Sequence, residues 1–156
     1  MLPQESLAHL KSTFHVLPIG EPVGNLTIGR GRVDAQAAHV AIVENRIASG
    51  ALGARECDKL ASLFKIVAAQ KSPLILYLDS AGAKVSEGLP ALGAFRHMYR
   101  HALAMAASGA PVVAFCGGNC FGGASMLASL AGLRVYAKNT RLAMSGPAIL
   151  AQAAGV

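Results

Sequence analysis

A glycine-rich segment in the second half of the chain combines residue types that could do chemistry. It runs from Cys116 to Met126 and reads CGGNCFGGASM, with four glycines, two cysteines and a serine. The apolar run Pro111–Phe115 precedes it, and the alanine-rich stretch Ala124–Ala131 follows it. This order predicts a buried strand that turns on glycine and enters a helix.

The chemistry of such a turn lies in its backbone. Glycine lets the chain approach a ligand closely, and the first N–H groups of a helix have no partner within the helix. Bare N–H groups can hold an anion, or an oxygen that becomes negative during a reaction. The alternative interpretation is a tight connection between two packed elements.

A second glycine-rich turn strengthens the first interpretation. The segment Asp79–Gly88 follows the apolar run Pro73–Leu78 and precedes a helix predicted at Leu89–Ala107. We expect the strands near Ile75 and Val113 to be adjacent and parallel, which places both turns at the edge of the sheet where ligands usually bind. Neither turn has the GxxxxGK[ST] or GxGxxG spacing, so a P-loop or Rossmann site is not indicated.

The remaining segments alternate between strand and helix patterns, which predicts an α/β fold with a largely parallel sheet. Residues 1–25 are interpreted as a lead-in segment with a short amphipathic turn, and residues 26–156 as one domain. Further elements are a helix at Ala54–Gln70 and strands at Leu26–Val33, His39–Glu44, Leu133–Tyr136 and Arg141–Met144.

Several of these segments resemble motifs of acyl-CoA carboxyltransferase subunits. Asp79–Gly88, which reads DSAGAKVSEG, is similar to their D-S-G-G-A-R-x-Q-E-G motif. Ser49–Ala54 resembles their G-S-M-G segment, which also leads into a helix. Cys120–Ala124, followed by Leu142–Pro147, resembles their G-G-V and I-G-F-A-G-P motifs.

The most similar pattern is that of the β subunit of biotin-independent malonate decarboxylase. Asn119–Ala124 resembles its G-C-F-G-G-M, and Leu142–Gly155 resembles its L-G-L-S-G-P-x-V-I-E-Q-E-A-G. The similarity keeps one order and spacing from Ile28 to Val156. It implies a crotonase-like fold of repeated ββα units that is short at its C-terminus in this chain.

The resemblance also implies an active site in which peptide N–H groups hold a thioester enolate. The implied catalytic positions are Gly122, Gly123, Gly82 and Ala83. The implied substrate-binding positions are Ser80, Ala81, Lys84, Cys120 and Phe121.

The implied reaction is decarboxylation of, or carboxyl transfer from, a malonyl thioester of CoA or of a phosphopantetheine-type acyl-carrier protein. It needs neither a metal nor a bound cofactor. The implied partners are a second, γ-like carboxyltransferase subunit and the carrier protein, or other copies of the chain. The apolar C-terminal region leads us to expect burial against such a partner.

Departures from the family pattern support a second hypothesis. Lys84 replaces the usual arginine, Ser86 a glutamine and Ala81 a glycine, while Ala151 and Ala153 stand where glutamates are usual. The chain also stops where family members continue. It could therefore be a truncated, catalytically inactive subunit that binds an acyl thioester or a partner.

A third hypothesis belongs to another reaction class. The segment from Gly122 to Gly132 also resembles ClpP-like serine peptidases, which would make Ser125 the nucleophile. A serine needs a nearby base, but all five histidines precede residue 102 and none follows the serine. A peptidase is therefore disfavoured.

Several other side chains could act in catalysis or metal binding, but each could also have a purely structural role. His97 and His101 are spaced for one helix face, as metal ligands or as part of a basic surface. Cys116 and Cys120 are buried small residues or reactive thiols. Glu87 is a structural carboxylate that binds N–H groups, or a general base.

Composition narrows the classes of partner. The chain has 14 Lys and Arg against 8 Asp and Glu, a formal net charge of +6, spread along the sequence with few aromatic residues. This pattern favours a small anion or an acidic carrier protein over nucleic acid. No apolar run spans a membrane and no secretory signal is recognised, so a cytoplasmic protein is expected.

Overall fold

The apolar runs form the inner strands of one mixed sheet. A computed structural model describes residues 1–155, in which helices and strands alternate as the sequence predicts. The strands are β1 (Leu17–Pro18), β2 (Leu26–Val33), β3 (Gln36–Val43), β4 (Leu74–Ser80), β5 (Val112–Phe121), β6 (Leu133–Tyr136) and β7 (Arg141–Ala143). The helices are α1 (Pro3–Thr13), α2 (Ala54–Gln70), α3 (Leu89–Ala107), α4 (Gly123–Ser129) and α5 (Pro147–Ala154).

The sheet order is β1-β2-β3-β4-β5-β6, and β7 pairs with the C-terminal part of β5. Strands β1 to β3 are antiparallel, whereas β3, β4, β5 and β6 are parallel. Ile75 pairs with Val113 in the parallel register, which confirms the expectation for these two strands. The C-terminal ends of β3, β4 and β5 therefore meet at one edge.

The alternation of side chains along the strands separates two apolar layers. One layer lies under α2, α3 and α4 and contains the largest cluster of buried residues, including Phe64 of α2 and Met98 of α3. The other lies under α1, where Leu7 and Leu10 contact Val40 and Tyr77. No helix in residues 1–155 is both long enough and apolar enough to cross a bilayer.

Three details differ from the sequence expectations. The lead-in segment contains the whole of α1, and β1 pairs with β2, so this segment packs on the sheet. Strand β5 continues through Phe121 instead of ending at Phe115. Helix α5 was not predicted, and it has no buried residue.

Candidate active site

Three loops converge at the edge where β3, β4 and β5 end. The N–H of Leu52 donates to the carbonyl of Gly82, and the N–H of Lys84 donates back to the carbonyl of Leu52, both at 2.8 Å. The N–H of Ala81 donates to the carbonyl of Ser49 at 2.9 Å. The segment that resembles G-S-M-G is thus hydrogen-bonded to the one that resembles D-S-G-G-A-R.

The loop after β4 lies directly against the loop after β5. Gly82 has φ +92°, and a Cβ at this position would lie 2.8 Å from the carbonyl oxygen of Phe121 and 3.1 Å from the nitrogen of Gly123. Ser80 is fully buried, and its hydroxyl oxygen accepts the N–H of Gly82 at 3.0 Å. Glycine is needed here both for the backbone conformation and for the close approach of the two loops.

Asp79 joins the same two loops from within the sheet. The register of β4 on β5 shifts between Leu78 and Ser80, where residues 117–119 of β5 oppose Asp79 alone. The Oδ1 atom of Asp79 accepts the N–H of Asn119 at 2.9 Å, which replaces the ladder hydrogen bond lost at the bulge. The carboxylate therefore helps to fix the position of the loop after β5.

The packing of β4 against β5 also explains the first two glycines of CGGNCFGGASM. A Cβ on Gly117 would lie 3.0 Å from Cβ of Asp79 and would overlap the Tyr77 hydroxyl. A Cβ on Gly118 would lie 3.2 Å from Oδ2 of Asp79. These glycines make room for two side chains of β4, so they serve a different purpose from Gly122 and Gly123.

We predict that Asp79→Ala lowers the free energy of unfolding by about 1.5–3 kcal/mol, because it removes an ionised acceptor from a partly buried N–H group. Asp79→Asn keeps a carbonyl oxygen at the same reach and should recover more than half of that loss. Urea unfolding of the three proteins measures both values. Equal stability of Asp79→Ala and the unchanged protein would contradict the role of this carboxylate.

The free N–H groups of the site are fewer than the glycine count suggests. Gly122 already donates its N–H to the carbonyl of Ala143 at 3.0 Å, as Gly82 and Ala81 do to Ser80 and Ser49. Within residues 1–155, the N–H groups of Ala83 and Gly123 donate to no protein acceptor. Helix α4 has only seven residues, so any anion affinity rests on these individual N–H groups more than on a helix dipole.

Ala83 and Gly123 line one cavity of about 340 Å³. The ring of Phe95 lies against Gly123 so closely that a Cβ on this glycine would overlap it. The other residues of the wall are Leu92, Arg96, Tyr99 and Met126. The cavity is thus mostly apolar, and its lining includes two residues, Ala83 and Gly123, whose N–H groups donate to no protein acceptor within residues 1–155.

The wall residues of α3 were missed by the sequence analysis. Leu92, Phe95, Arg96 and Tyr99 are spaced i, i+3, i+4 and i+7, which is the pattern of a single helix face. The pattern was visible in the sequence, but it does not show which neighbouring element the face meets. The structure places it beside the two glycine-rich turns.

The predicted substrate-binding side chains do not line this cavity. Cys120 and Ser80 are each 0% exposed, and Phe121 is 9% exposed. The Nζ atom of Lys84 lies 3.3 Å from Oε1 of Glu87. Of the site positions implied by the motifs, only Ala83 and Gly123 are among the residues that line the cavity.

The structural interpretation of Glu87 is supported. Its Oε2 atom accepts the N–H of Ala54 at the start of α2, at 3.0 Å. This hydrogen bond, together with Lys84, lowers the pKa of the Glu87 carboxyl group. A carboxylate with a lowered pKa that already holds a helix end is poorly suited to act as a general base.

The Cys57 and Cys120 thiols and the Ser125 hydroxyl show the same structural character. A contact with Cys116 and burial raise the pKa of the Cys120 thiol, so it stays protonated. Burial raises the pKa of Cys57 to about 12. The hydroxyl of Ser125 donates to the carbonyl of Gly122 at 2.7 Å, and no histidine of the described chain hydrogen-bonds to it. The peptidase hypothesis therefore gains no support.

The histidine pair on α3 has no further ligand nearby. The rings of His97 and His101 pack edge to face with centroids 4.7 Å apart. Within residues 1–155, no group of three His, Cys, Asp or Glu side chains is placed to hold a metal ion. Lys65 and Arg100 lie near His101, so this part of α2 and α3 is a basic surface.

Comparison of the sequence with known proteins assigns the chain to one protein family. Residues 3–156 match the family model described as the carboxyl transferase domain. The methylmalonyl-CoA carboxyltransferase 12S subunit of Propionibacterium freudenreichii subsp. shermanii is 24% identical over 134 residues, which is 86% of this chain and 25% of that protein. A putative propionyl-CoA carboxylase beta chain of Bacillus subtilis (strain 168) is 30% identical over 129 residues, 81% of this chain and 25% of the relative. The chain thus spans about a quarter of the length of these relatives.

Solved structures agree with the sequence matches. A chain of the Pseudomonas malonate decarboxylase hetero-dimer superposes with a TM-score of 0.82 at 26% identity, over 98% of this chain and 68% of that one. A chain of the malonate decarboxylase hetero-tetramer with bound malonate gives 0.76 at 27% identity, over 83% and 49%. These likenesses confirm the crotonase-like fold that the motifs imply.

Proposed function

The chain belongs to the carboxyl transferase domain family, and on that premise we propose that it acts on a malonyl thioester through an enolate held by the N–H groups of Ala83 and Gly123. The observation that supports this proposal is the mostly apolar cavity, whose lining includes Ala83 and Gly123, two residues with N–H groups that donate to no protein acceptor within residues 1–155. The family supports the reaction class, and the unengaged N–H groups of two lining residues support this cavity as the proposed place where charge develops.

The proposed chemistry moves charge onto one oxygen. The bond between the α-carbon and the carboxyl carbon breaks, and its electron pair enters the enolate of the thioester. The carboxyl group leaves as CO₂ or passes to an acceptor, and in decarboxylation the α-carbon then takes a proton from water. Because the thioester oxygen is more negative in the enolate than in the substrate, hydrogen bonds to it lower the barrier.

The substrate is proposed to be carried by CoA or by a phosphopantetheine-type carrier protein. Two relatives are named for acyl-CoA substrates, and two solved neighbours are malonate decarboxylases. Those decarboxylases are a hetero-dimer and a hetero-tetramer, so we propose a second carboxyltransferase-type subunit as partner. Exposed apolar side chains offer a surface for it, namely Leu133, Leu142, Met144, Ile149 and Leu150.

A second candidate function is thioester binding without turnover. Helix α5 carries Ala151 and Ala153 where the family pattern has glutamates, and it contains no acidic residue. If those carboxylates are needed for catalysis, the cavity would still bind an acyl thioester. The two candidates therefore differ in turnover and agree in binding.

The test is an assay of the chain purified in complex with the proposed second carboxyltransferase-type subunit. We expect the complex to release CO₂ from malonyl-CoA or from the malonyl carrier, and the chain to bind the non-reactive product acetyl-CoA. Binding of acetyl-CoA without CO₂ release by the complex would favour the second candidate. Absence of both would show that the cavity is not a thioester site.

A further inference from the structure

Arg96 is the one charged residue among the described residues that line the cavity. It lies on the exposed part of α3, next to Phe95, whose ring contacts Gly123. The other side chains of the wall are apolar or, in Tyr99, uncharged. A guanidinium group at this wall is available to pair with an anion through charge-assisted hydrogen bonds.

This guanidinium group has no anionic partner in the described chain. The two ion pairs within residues 1–155 join Arg46 to Glu44 and Lys84 to Glu87, and neither includes Arg96. The surface around His101, further along the same helix, is positive as well. Burial lowers the pKa of His101, and Lys65, His97 and Arg100 lower it further, as expected where cations crowd together.

We propose that Arg96 binds an oxyanion carried by the thioester substrate. The planar guanidinium fork matches a carboxylate or a phosphate with two parallel hydrogen bonds. A malonyl thioester offers both groups, the free carboxylate of its acyl part and the phosphates of CoA or of a carrier's pantetheine arm. The inference rests on the proposed function, since it takes the ligand to be such a thioester, and it assigns a recognition role to a residue outside the glycine motifs.

Arg100 provides a matched control. It is an exposed arginine one turn further along the same helix, and it does not line the cavity. Arg96→Gln and Arg100→Gln remove the same charge from the same surface and keep a good helix former. A general field effect would change binding equally in both variants, whereas a direct contact would single out Arg96.

The experiment measures equilibrium binding of four ligands by titration calorimetry. Malonyl-CoA carries carboxylate and phosphate, acetyl-CoA carries phosphate only, malonyl-pantetheine carries carboxylate only, and acetyl-pantetheine carries neither. We expect Arg96→Gln to weaken Kd by about 10- to 100-fold for the ligands that carry the recognised anion, with less than about threefold change in Arg100→Gln. Circular dichroism checks that both variants keep their helices.

The set of ligands that lose affinity in Arg96→Gln identifies which anion Arg96 binds. Weakening confined to the two malonyl ligands supports recognition of the carboxylate, and weakening confined to the two CoA ligands supports recognition of phosphate. Equal effects of the two variants, no effect of Arg96→Gln, or an equal loss for acetyl-pantetheine would overturn the role of Arg96. If the unchanged protein binds none of the four ligands, the proposed function falls as well, which separates that failure from the failure of Arg96 alone.

Discussion

Removing the N–H group of Gly123 is expected to lower the rate of turnover by about 10²–10³, the usual cost of one lost oxyanion donor. The N–H can be removed only by proline, and any side chain at this position meets the ring of Phe95. The atoms that would be overlapped are Cζ, Cε1 and Cε2 of that ring. Leucine lacks these atoms, so the test is made in a Phe95→Leu background.

The comparison is between Phe95→Leu/Gly123→Ala and Phe95→Leu/Gly123→Pro. Both put a Cβ beside α3, and only the second lacks the N–H group. Gly123 is the first residue of α4, where proline is well tolerated because the N–H has no partner in the helix. The difference in rate between the two variants therefore reports the donor itself.

Steady-state kinetics with the malonyl thioester supplies the readout. Loss of a donor whose hydrogen bond strengthens only in the transition state should lower kcat and kcat/KM together. Matching thermal unfolding of the two variants excludes a difference in folding. If the proline variant keeps a rate within about threefold of the alanine variant, Gly123 does not donate to the enolate oxygen.

Gly82→Ala is expected to lower the free energy of unfolding by about 2–5 kcal/mol. A positive φ costs an L-residue about 1–2 kcal/mol, and overpacking adds about 1–3 kcal/mol. Here φ is +92°, and the new Cβ would lie 2.8 Å from the carbonyl oxygen of Phe121. It would also lie 3.1 Å from the nitrogen of Gly123. Both of these atoms belong to the backbone of the neighbouring loop, which cannot rotate away as a flexible side chain would.

Gly109→Ala is the control for the backbone conformation alone. Gly109 has φ +82°, and nothing lies within 4 Å of its hypothetical Cβ. It should therefore cost only about 1–2 kcal/mol. Urea unfolding of both variants gives the comparison, and equal losses would mean that the two loops do not depend on close contact at Gly82.

The two groups of glycines in CGGNCFGGASM therefore have separate physical roles. Gly117 and Gly118 leave space for Tyr77 and Asp79 inside the sheet. Gly123 leaves space for Phe95, and its N–H group has no acceptor among residues 1–155. The catalytic proposal thus depends on one glycine of the four, together with Ala83 of the neighbouring loop.

The sequence by itself determined the order of elements and the edge at which the site lies. Apolar runs such as Pro73–Leu78 and the helical spacing in Ala54–Gln70 reflect interactions along a few residues of chain, so they can be read locally. Glycine turns after two neighbouring parallel strands must meet at one edge, because parallel strands end on the same side. The motifs added the family and the expectation of backbone N–H chemistry.

Only the tertiary structure decided which N–H groups are free and what faces them. The N–H of Gly122 donates to Ala143 and that of Gly82 to Ser80, whereas those of Ala83 and Gly123 meet no acceptor in the described part of the chain. Whether a donor is satisfied depends on acceptors brought close by strand pairing and loop packing, which local periodicity does not encode. The same holds for Arg96, since a helical pattern shows that residues share a face, while the packing of α3 against the loops makes that face the wall of the cavity.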